Sequence, residues 1–70
     1  MEYVVDFLWD NETSVWIAES ENIPGLVLES GSLDALIEKV KFAVPELLSL
    51  NKTKYENINL LIKTERQVVI

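Results

Sequence analysis

The feature that most constrains this chain is the segment 32–51, because no other stretch is long and periodic enough to predict a helix with the same force. Its apolar residues recur at the i, i+3, i+4 and i+7 positions that form one stripe on an α-helix. They are Leu33, Leu36, Ile37, Val40, Ala43, Val44, Leu47 and Leu48. The rest of the chain must therefore supply a surface that covers this stripe.

The helix has recognisable ends and one internal ambiguity. Ser32 is predicted to cap the first turn, and Asn51 is predicted to close the helix in the left-handed conformation that asparagine tolerates. Lys52 and Lys54 follow, where the helix dipole favours cations. Pro45 lacks the N–H that an interior helical residue donates, at a cost of roughly 3 kcal/mol. The sequence therefore leaves open a straight helix, a kinked one, or a second short helix that starts at Pro45.

The remaining apolar segments alternate with polar residues, which is typical of β-strands. Strands are predicted over residues 2–9, 15–20, 26–29 and 58–70, although the pattern does not decide whether residues 68–70 extend the last strand. A polar turn covers residues 10–14, and Pro24-Gly25 predicts a type II turn between the second and third strands. A polar connection over residues 52–57 follows the helix.

The predicted order is β-β-β-α-β in one α+β domain that spans residues 1–70. Tight turns make the first three strands an antiparallel meander, and a right-handed crossover lays the fourth parallel to the first. The result is a mixed four-stranded sheet with the helix packed on one face. Phe7, Trp16, Val40 and Leu47 are predicted to be buried between sheet and helix.

A 70-residue chain is near the lower size limit for a single hydrophobic core. Disulfides and a zinc site are excluded, since the sequence has no cysteine and no histidine, so oligomerisation is the remaining reinforcement. The second sheet face is also apolar, which predicts a homodimer or larger assembly. The residues assigned to that oligomer face are Val4, Leu8, Val15, Ile17 and Leu61.

Twelve acidic and six basic residues give a net charge of −6, which disfavours nucleic acid and anionic membranes as partners. A basic protein partner fits this charge, and the alternative is that the acidity only maintains solubility. Without histidine or cysteine, no serine has a base to activate it, so we expect no enzymatic activity, no cofactor and no metal. No signal peptide and no apolar run of ~18 residues is present, which predicts a cytoplasmic protein.

Residues 15–36, VWIAESENIPGLVLESGSLDAL, carry a pattern of spaced motifs. An aromatic residue opens the second strand (Trp16), Ile23-Pro24-Gly25 follows, and Ser30-Gly31-Ser32 leads to Leu33 at the helix start. This run resembles the N-terminal domain of HicB-like antitoxins. Residues 44–51, VPELLSLN, look more like the stand-alone uncharacterised relatives of those antitoxins. Together the two runs cover roughly half to two thirds of the chain.

The resemblance implies a partial ribonuclease-H-like fold of β-β-β-α-β order and, as partner, a small basic RNA-cleaving toxin. Nothing in the chain matches the separate DNA-binding domain of such antitoxins. Phe42 is predicted to point away from the apolar stripe, either as a half-exposed ring or as a contact with another chain. Charge and resemblance together predict a set of partner-binding residues that includes it. The set is Glu19, Glu21, Glu29, Asp34, Glu38 and Phe42. The alternative function is a self-associating structural domain without a toxin partner.

Overall fold

Alternating apolar residues and short polar turns build a four-stranded sheet in the computed structural model, which describes residues 2–51 and 58–70. The elements in chain order are β1 (Glu2–Asp10), β2 (Val15–Glu19), β3 (Val27–Ser30), α1 (Leu33–Leu50) and β4 (Asn59–Glu65). The strands lie in the order β3-β2-β1-β4. This arrangement confirms the predicted β-β-β-α-β domain with one helix.

The pairing of the strands shows how the crossover closes the sheet. β2 runs antiparallel to both β1 and β3, whereas β4 runs parallel to β1. Phe7 in β1 lies opposite Ala18 in β2 and Thr64 in β4. The sheet is therefore mixed, as the sequence predicts, with β1 and β2 in its centre.

The core lies between the helix and one face of the sheet. Alternate residues of β1 and every fourth residue of α1 supply most of it, because these are the periods of a strand and of a helix. The buried residues are Tyr3, Val5, Phe7, Ala18, Ile23, Leu26, Leu36, Val40, Val44 and Leu48. Phe7 and Val40 are fully buried, which confirms those two predictions.

Two residues predicted to be buried are only half-buried. Trp16 packs against the core from the end of the sheet where α1 begins, and it lies opposite Ser30. Leu47 is on the flank of the helical stripe, next to the turn at Gly25. A methyl group on Gly25 would lie 3.4 Å from the Cδ2 atom of Leu47. Both side chains contribute to packing, but the helix does not cover either of them completely.

The sequence predicts the cap at the start of α1 correctly, but not the conformation at its end. Ser32 caps the first turn, since its hydroxyl oxygen accepts the Ala35 N–H at 3.3 Å. The left-handed conformation predicted for Asn51 is wrong, because its φ is −84° and its N–H bonds to the Leu47 carbonyl at 3.0 Å. Its side-chain amide donates to the Pro24 carbonyl at 3.4 Å. Asn51 thus ties the end of the helix to the turn before β3.

Pro45 lies inside a single helix, so of the alternatives the split into two helices is wrong. β4 ends at Glu65, and residues 66–70 are therefore not part of the strand. The predicted connection 52–57, with Lys52 and Lys54, lies outside the described residues.

Candidate functional site

The turn before β3 is a fixed corner of the domain. Gly25 has a φ of +86°, and the Leu26 N–H bonds to the Ile23 carbonyl at 3.2 Å. This geometry confirms the type II turn, in which the third residue needs a positive φ that glycine adopts at no steric cost. Ile23 is fully buried, so the turn is anchored in the core.

The loop between β2 and this turn is held to β1 by side chains. The Ser20 hydroxyl donates to the Val4 carbonyl at 2.6 Å, and the Asn22 side-chain oxygen accepts the Val4 N–H at 3.0 Å. The Asn22 N–H in turn bonds to the Ser20 oxygen at 3.1 Å. These bonds replace the backbone ladder beyond the end of β2, and they fix the exposed Glu21 between two anchored residues.

The predicted partner-binding residues are all exposed, but they lie on two separate surfaces. Glu19 lies opposite Val27 and Asp6, and Glu29 lies opposite Ile17, so both glutamates are on the sheet face turned away from the helix. Glu21 extends that surface, since with Asp6 and Glu19 it lines an open depression of about 390 Å³. Asp34, Glu38 and Phe42 are on the helix, at the other side of the sheet. No single flat partner could contact the whole set.

The helix surface has an aromatic residue at its centre. The Phe42 side chain is 80% exposed, and Glu38 and Glu46 lie one turn before and one turn after it. Glu38 forms an exposed ion pair with Lys41 at 3.3 Å. We define the helix outer face as Asp34, Glu38, Phe42 and Glu46. Glu46 is not in the predicted set, although its i+4 spacing from Phe42 can be read from the sequence.

The surface of the sheet turned away from the helix carries the predicted oligomer face. Leu8 lies opposite Ile17, Val4 opposite Leu61, and Asp10 opposite Val15, so the sheet does place the five predicted apolar residues on one face. Leu8 and Leu61 are 37% and 43% exposed. A charged row crosses the middle of the same face, composed of Glu19, Asp6 and Lys63. We call this surface the outer sheet face.

An aromatic and cationic cluster, which the local sequence patterns do not predict, lies at the end of the sheet. Trp9 and Trp16 pack edge to face, with ring centroids 5.3 Å apart and an interplanar angle of 64°. The Arg66 guanidinium carbon lies 4.1 Å from the centroid of a Trp9 ring, within the range of a cation–π contact. The Trp9 indole N–H donates to the Asn11 side-chain oxygen at 2.8 Å. These contacts hold residue 66, just beyond β4, against the end of β1.

A groove runs between α1 and β4 on the helix side of the sheet. Its volume is about 240 Å³, and its lining is mostly apolar: Lys41, Val44, Pro45, Ile58 and Leu60. Ile58 and Leu60 are half-buried, so the helix leaves part of β4 uncovered.

Asp10 organises the turn between β1 and β2. The Thr13 hydroxyl donates to one of its carboxylate oxygens at 2.8 Å, and the Glu12 N–H donates to the other at 3.0 Å. The hydrogen bond from Thr13, followed by that from Glu12, lowers the pKa of Asp10. Ser14 completes the turn with a φ of 55°. This carboxylate is structural, because its hydrogen bonds are local.

The family to which the chain belongs follows from comparison with known proteins. A family model described as a domain of unknown function, DUF1902, matches residues 2–69. The chain belongs to the DUF1902 family. It is also similar to the crystal structure of a hypothetical protein, TTHA1013, from the extremely thermophilic bacterium Thermus thermophilus, with 38% identity and a TM-score of 0.87. That alignment covers 100% of both chains, whereas no curated protein matches.

These comparisons establish the family and the fold of this DUF1902 domain. Neither bears on the resemblance to HicB-like antitoxins, which stays a prediction. Within residues 2–51 and 58–70, no group of three or more acidic side chains is placed to hold a metal ion. No helix in those ranges combines the length and apolar character needed to cross a bilayer.

Proposed function

We propose that this DUF1902 domain is a non-enzymatic, cytoplasmic protein-interaction module whose helix outer face binds a small basic protein. The observation that carries the proposal is Phe42, whose ring is 80% exposed between two carboxylates. Single exposed apolar residues are common, but aromatic anchors surrounded by polar residues are typical of the centres of protein interfaces. Phe42 would fill a pocket of the partner, while the carboxylates meet basic residues around it.

The charge of the chain supports the same kind of partner. A net charge of −6 on 70 residues attracts a basic protein at long range and accelerates the encounter at low salt. The three carboxylates of the helix outer face, Asp34, Glu38 and Glu46, would act near the contact itself. The glutamates of the outer sheet face would contribute to attraction at a distance but not to the contact.

The resemblance of residues 15–36 to HicB-like antitoxins supplies the most specific candidate for the partner, a small basic RNA-cleaving toxin. A non-enzymatic antitoxin needs only to cover the toxin's active surface, and an acidic face with an aromatic anchor suits that task. The match to DUF1902 is compatible with this proposal, since its description assigns no function.

Co-expression with the small basic protein of an adjacent reading frame tests the proposal, with co-purification and growth as readouts. We expect Phe42→Ala to weaken binding by about 30-fold or more, as truncation of an interface anchor does. Val27→Ala is the matched control, because Val27 is a comparably exposed apolar residue that lies opposite Glu19, on the sheet face turned away from the helix. Equal effects of the two variants, or failure of the wild-type pair to co-purify and relieve toxicity, would contradict the proposal.

Charge reversal separates the two acidic surfaces. Glu38→Lys with Glu46→Lys should slow association and reduce its salt dependence, because both side chains would lie at the rim of the contact. Glu21→Lys with Glu29→Lys removes the same charge from the other side of the sheet, and should slow association less. If the second pair has the larger effect, the partner binds the outer sheet face.

A second candidate function is self-association without a toxin, and the outer sheet face favours it. That face combines the five apolar residues with charges of both signs, so that it can be complementary to the same face of a second copy. Leu8→Glu should then reduce the free energy of association by more than it reduces the free energy of unfolding. Light scattering that shows a monomer at micromolar concentration would refute this candidate.

A further inference from the structure

The two edges of the sheet differ in how well they are protected. β3, at one edge, has four residues, and the Lys39 ammonium group reaches across from α1 to the Glu29 carbonyl at 2.9 Å. β4, at the other edge, has seven residues and contains no proline. Exposed edge strands of this kind are templates for pairing with another chain unless something blocks them. In the described part of the chain, β4 pairs with β1 alone.

The segment after β4 has the composition of a strand without a partner. Residues 68–70 are Val-Val-Ile, a run of β-branched residues with high β-propensity. All three side chains are exposed, and Val68 and Val69 are 72% and 87% exposed. Arg66 holds the start of this segment against Trp9, so the segment leaves the sheet in a defined place.

We propose that two copies of the chain pair along β4. The two strands would run antiparallel about a two-fold axis at Thr64, and the two sheets would join into one of eight strands. In this arrangement residues 66–70 of each copy lie beside the beginning of β4 of the other copy. The proposal does not depend on the toxin-binding function, because β4 and the helix outer face are separate surfaces.

The charges on β4 favour this axis, because it is the axis that pairs Lys63 with Glu65. Residues directly opposite each other in an antiparallel pair lie on the same face of the sheet. An axis between two residues would pair residues of opposite faces, so the axis must lie at a residue. An axis at Lys63 would place two lysines opposite each other, and an axis at Glu65 would place two glutamates opposite each other. An axis at Thr64 places Lys63 of each copy opposite Glu65 of the other. Opposite charges in such pairs stabilise a sheet, and like charges destabilise it.

The same axis brings the exposed segment to the uncovered part of the core. Leu60 of one copy would lie opposite Val68 of the other, and Ile58 opposite Ile70. Ile58 and Leu60 are the residues on the β4 side that line the groove beside α1. Both are half-buried in the single chain, so the second copy would cover apolar surface that α1 leaves open. The pairing of charges and the covering of apolar surface therefore favour the same arrangement, with the axis at Thr64.

Sedimentation velocity of the purified chain and two single charge variants tests the proposal. We expect the wild type to dimerise at micromolar concentration, and Lys63→Glu and Glu65→Lys each to dimerise about tenfold or more weakly, because each variant turns both cross-strand pairs into like charges. An equimolar mixture of the two variants should form a heterodimer, since the first variant is acidic at both positions and the second is basic at both. The double variant carrying both changes should regain wild-type dimerisation.

Matched variants distinguish this dimer from one formed by the outer sheet face. Glu29→Lys reverses a charge on the same face at the opposite edge, and Ile17→Lys places a charge in the centre of that face, on β2, which is not adjacent to β4. Neither should weaken a dimer paired along β4, whereas Val68→Asp should. Circular dichroism establishes that each variant is folded. A wild type that stays monomeric at micromolar concentration would overturn the proposal. So would single variants that dimerise as strongly as the wild type, or an equimolar mixture of the two variants that forms no heterodimer.

Discussion

Replacement of Phe7 measures how much of the stability of this small domain depends on the contact between sheet and helix. The ring is fully buried in the centre of β1, with Ala18 and Thr64 beside it in the sheet. Truncation of such a ring to alanine costs about 3–5 kcal/mol. A chain of 70 residues at roughly 0.05–0.15 kcal/mol per residue has about 4–10 kcal/mol in total. Phe7→Ala should therefore remove about 30% or more of the stability, and it should unfold the domain if the total stability is near the lower value.

A smaller change keeps the measurement within range if the alanine variant does not fold. Phe7→Leu retains most of the apolar volume and should cost less than about 1.5 kcal/mol. Urea denaturation gives the free energy of unfolding, and the Trp9–Trp16 pair provides a fluorescence signal near the sheet end.

Phe42→Ala is the matched control for Phe7, because it removes the same ring from an exposed position. Its effect on the free energy of unfolding should stay within about 0.5 kcal/mol, as is usual for surface substitutions. If Phe7→Ala leaves the unfolding midpoint unchanged, or if the two alanine variants are equally destabilised, the assignment of the β1 faces is wrong.

Two further predictions concern the turns. Gly25→Ala should destabilise the domain by about 1–2 kcal/mol in thermal or urea unfolding, because Gly25 has a positive φ and the new methyl group would touch Leu47. Gly31→Ala is the control and should cost less, since the nearest atom to its new methyl group is 4.0 Å away. Hydrogen bonds lower the pKa of Asp10, so its contribution to stability is complete above the unfolded value of about 3.9 and is lost as pH falls through the lower folded value. The difference in urea midpoint between the wild type and Asp10→Asn should therefore shrink toward acid pH, and a difference that grows would contradict the assignment.

The periodic signals in the sequence were sufficient to predict the elements and their order. Apolar residues at helical spacing located α1, and the alternation in β1 assigned Phe7 to the core, because both patterns are local consequences of backbone geometry. Pro24-Gly25 likewise predicted its turn, since only a few backbone conformations accept that pair. These features need no knowledge of how distant parts of the chain meet.

The depth of burial was less predictable because it depends on where the helix lies over the sheet. Trp16 and Leu47 have the correct phase, but each lies at a margin of the helix–sheet contact and stays half-buried. Asn51 has a residue type suited to the left-handed conformation, yet its side chain bonds to Pro24, a partner 27 residues away. A tertiary contact of this kind leaves no trace in a local pattern.

The candidate surfaces show the same division. Strand alternation placed the five residues of the oligomer face together, but the charged row across it depends on register between strands. Strand phase also implies that Glu19 and Glu29 face away from the helix, and therefore away from Phe42. The phase of the strands is therefore sufficient to separate the two acidic surfaces, whereas charge alone does not distinguish them.

The position of the helix explains why β4 is the incomplete edge. An α-helix is about 10 Å across, whereas the three gaps between four strands span about 14 Å, so one helix cannot cover the whole sheet. Lys39 and Asn51 bond to Glu29 and Pro24, which hold α1 toward β3. The uncovered width therefore falls on the opposite side, along β4. A second copy paired at β4 would supply apolar side chains where the first lacks them, and the added burial would stabilise a domain whose small size limits its own core.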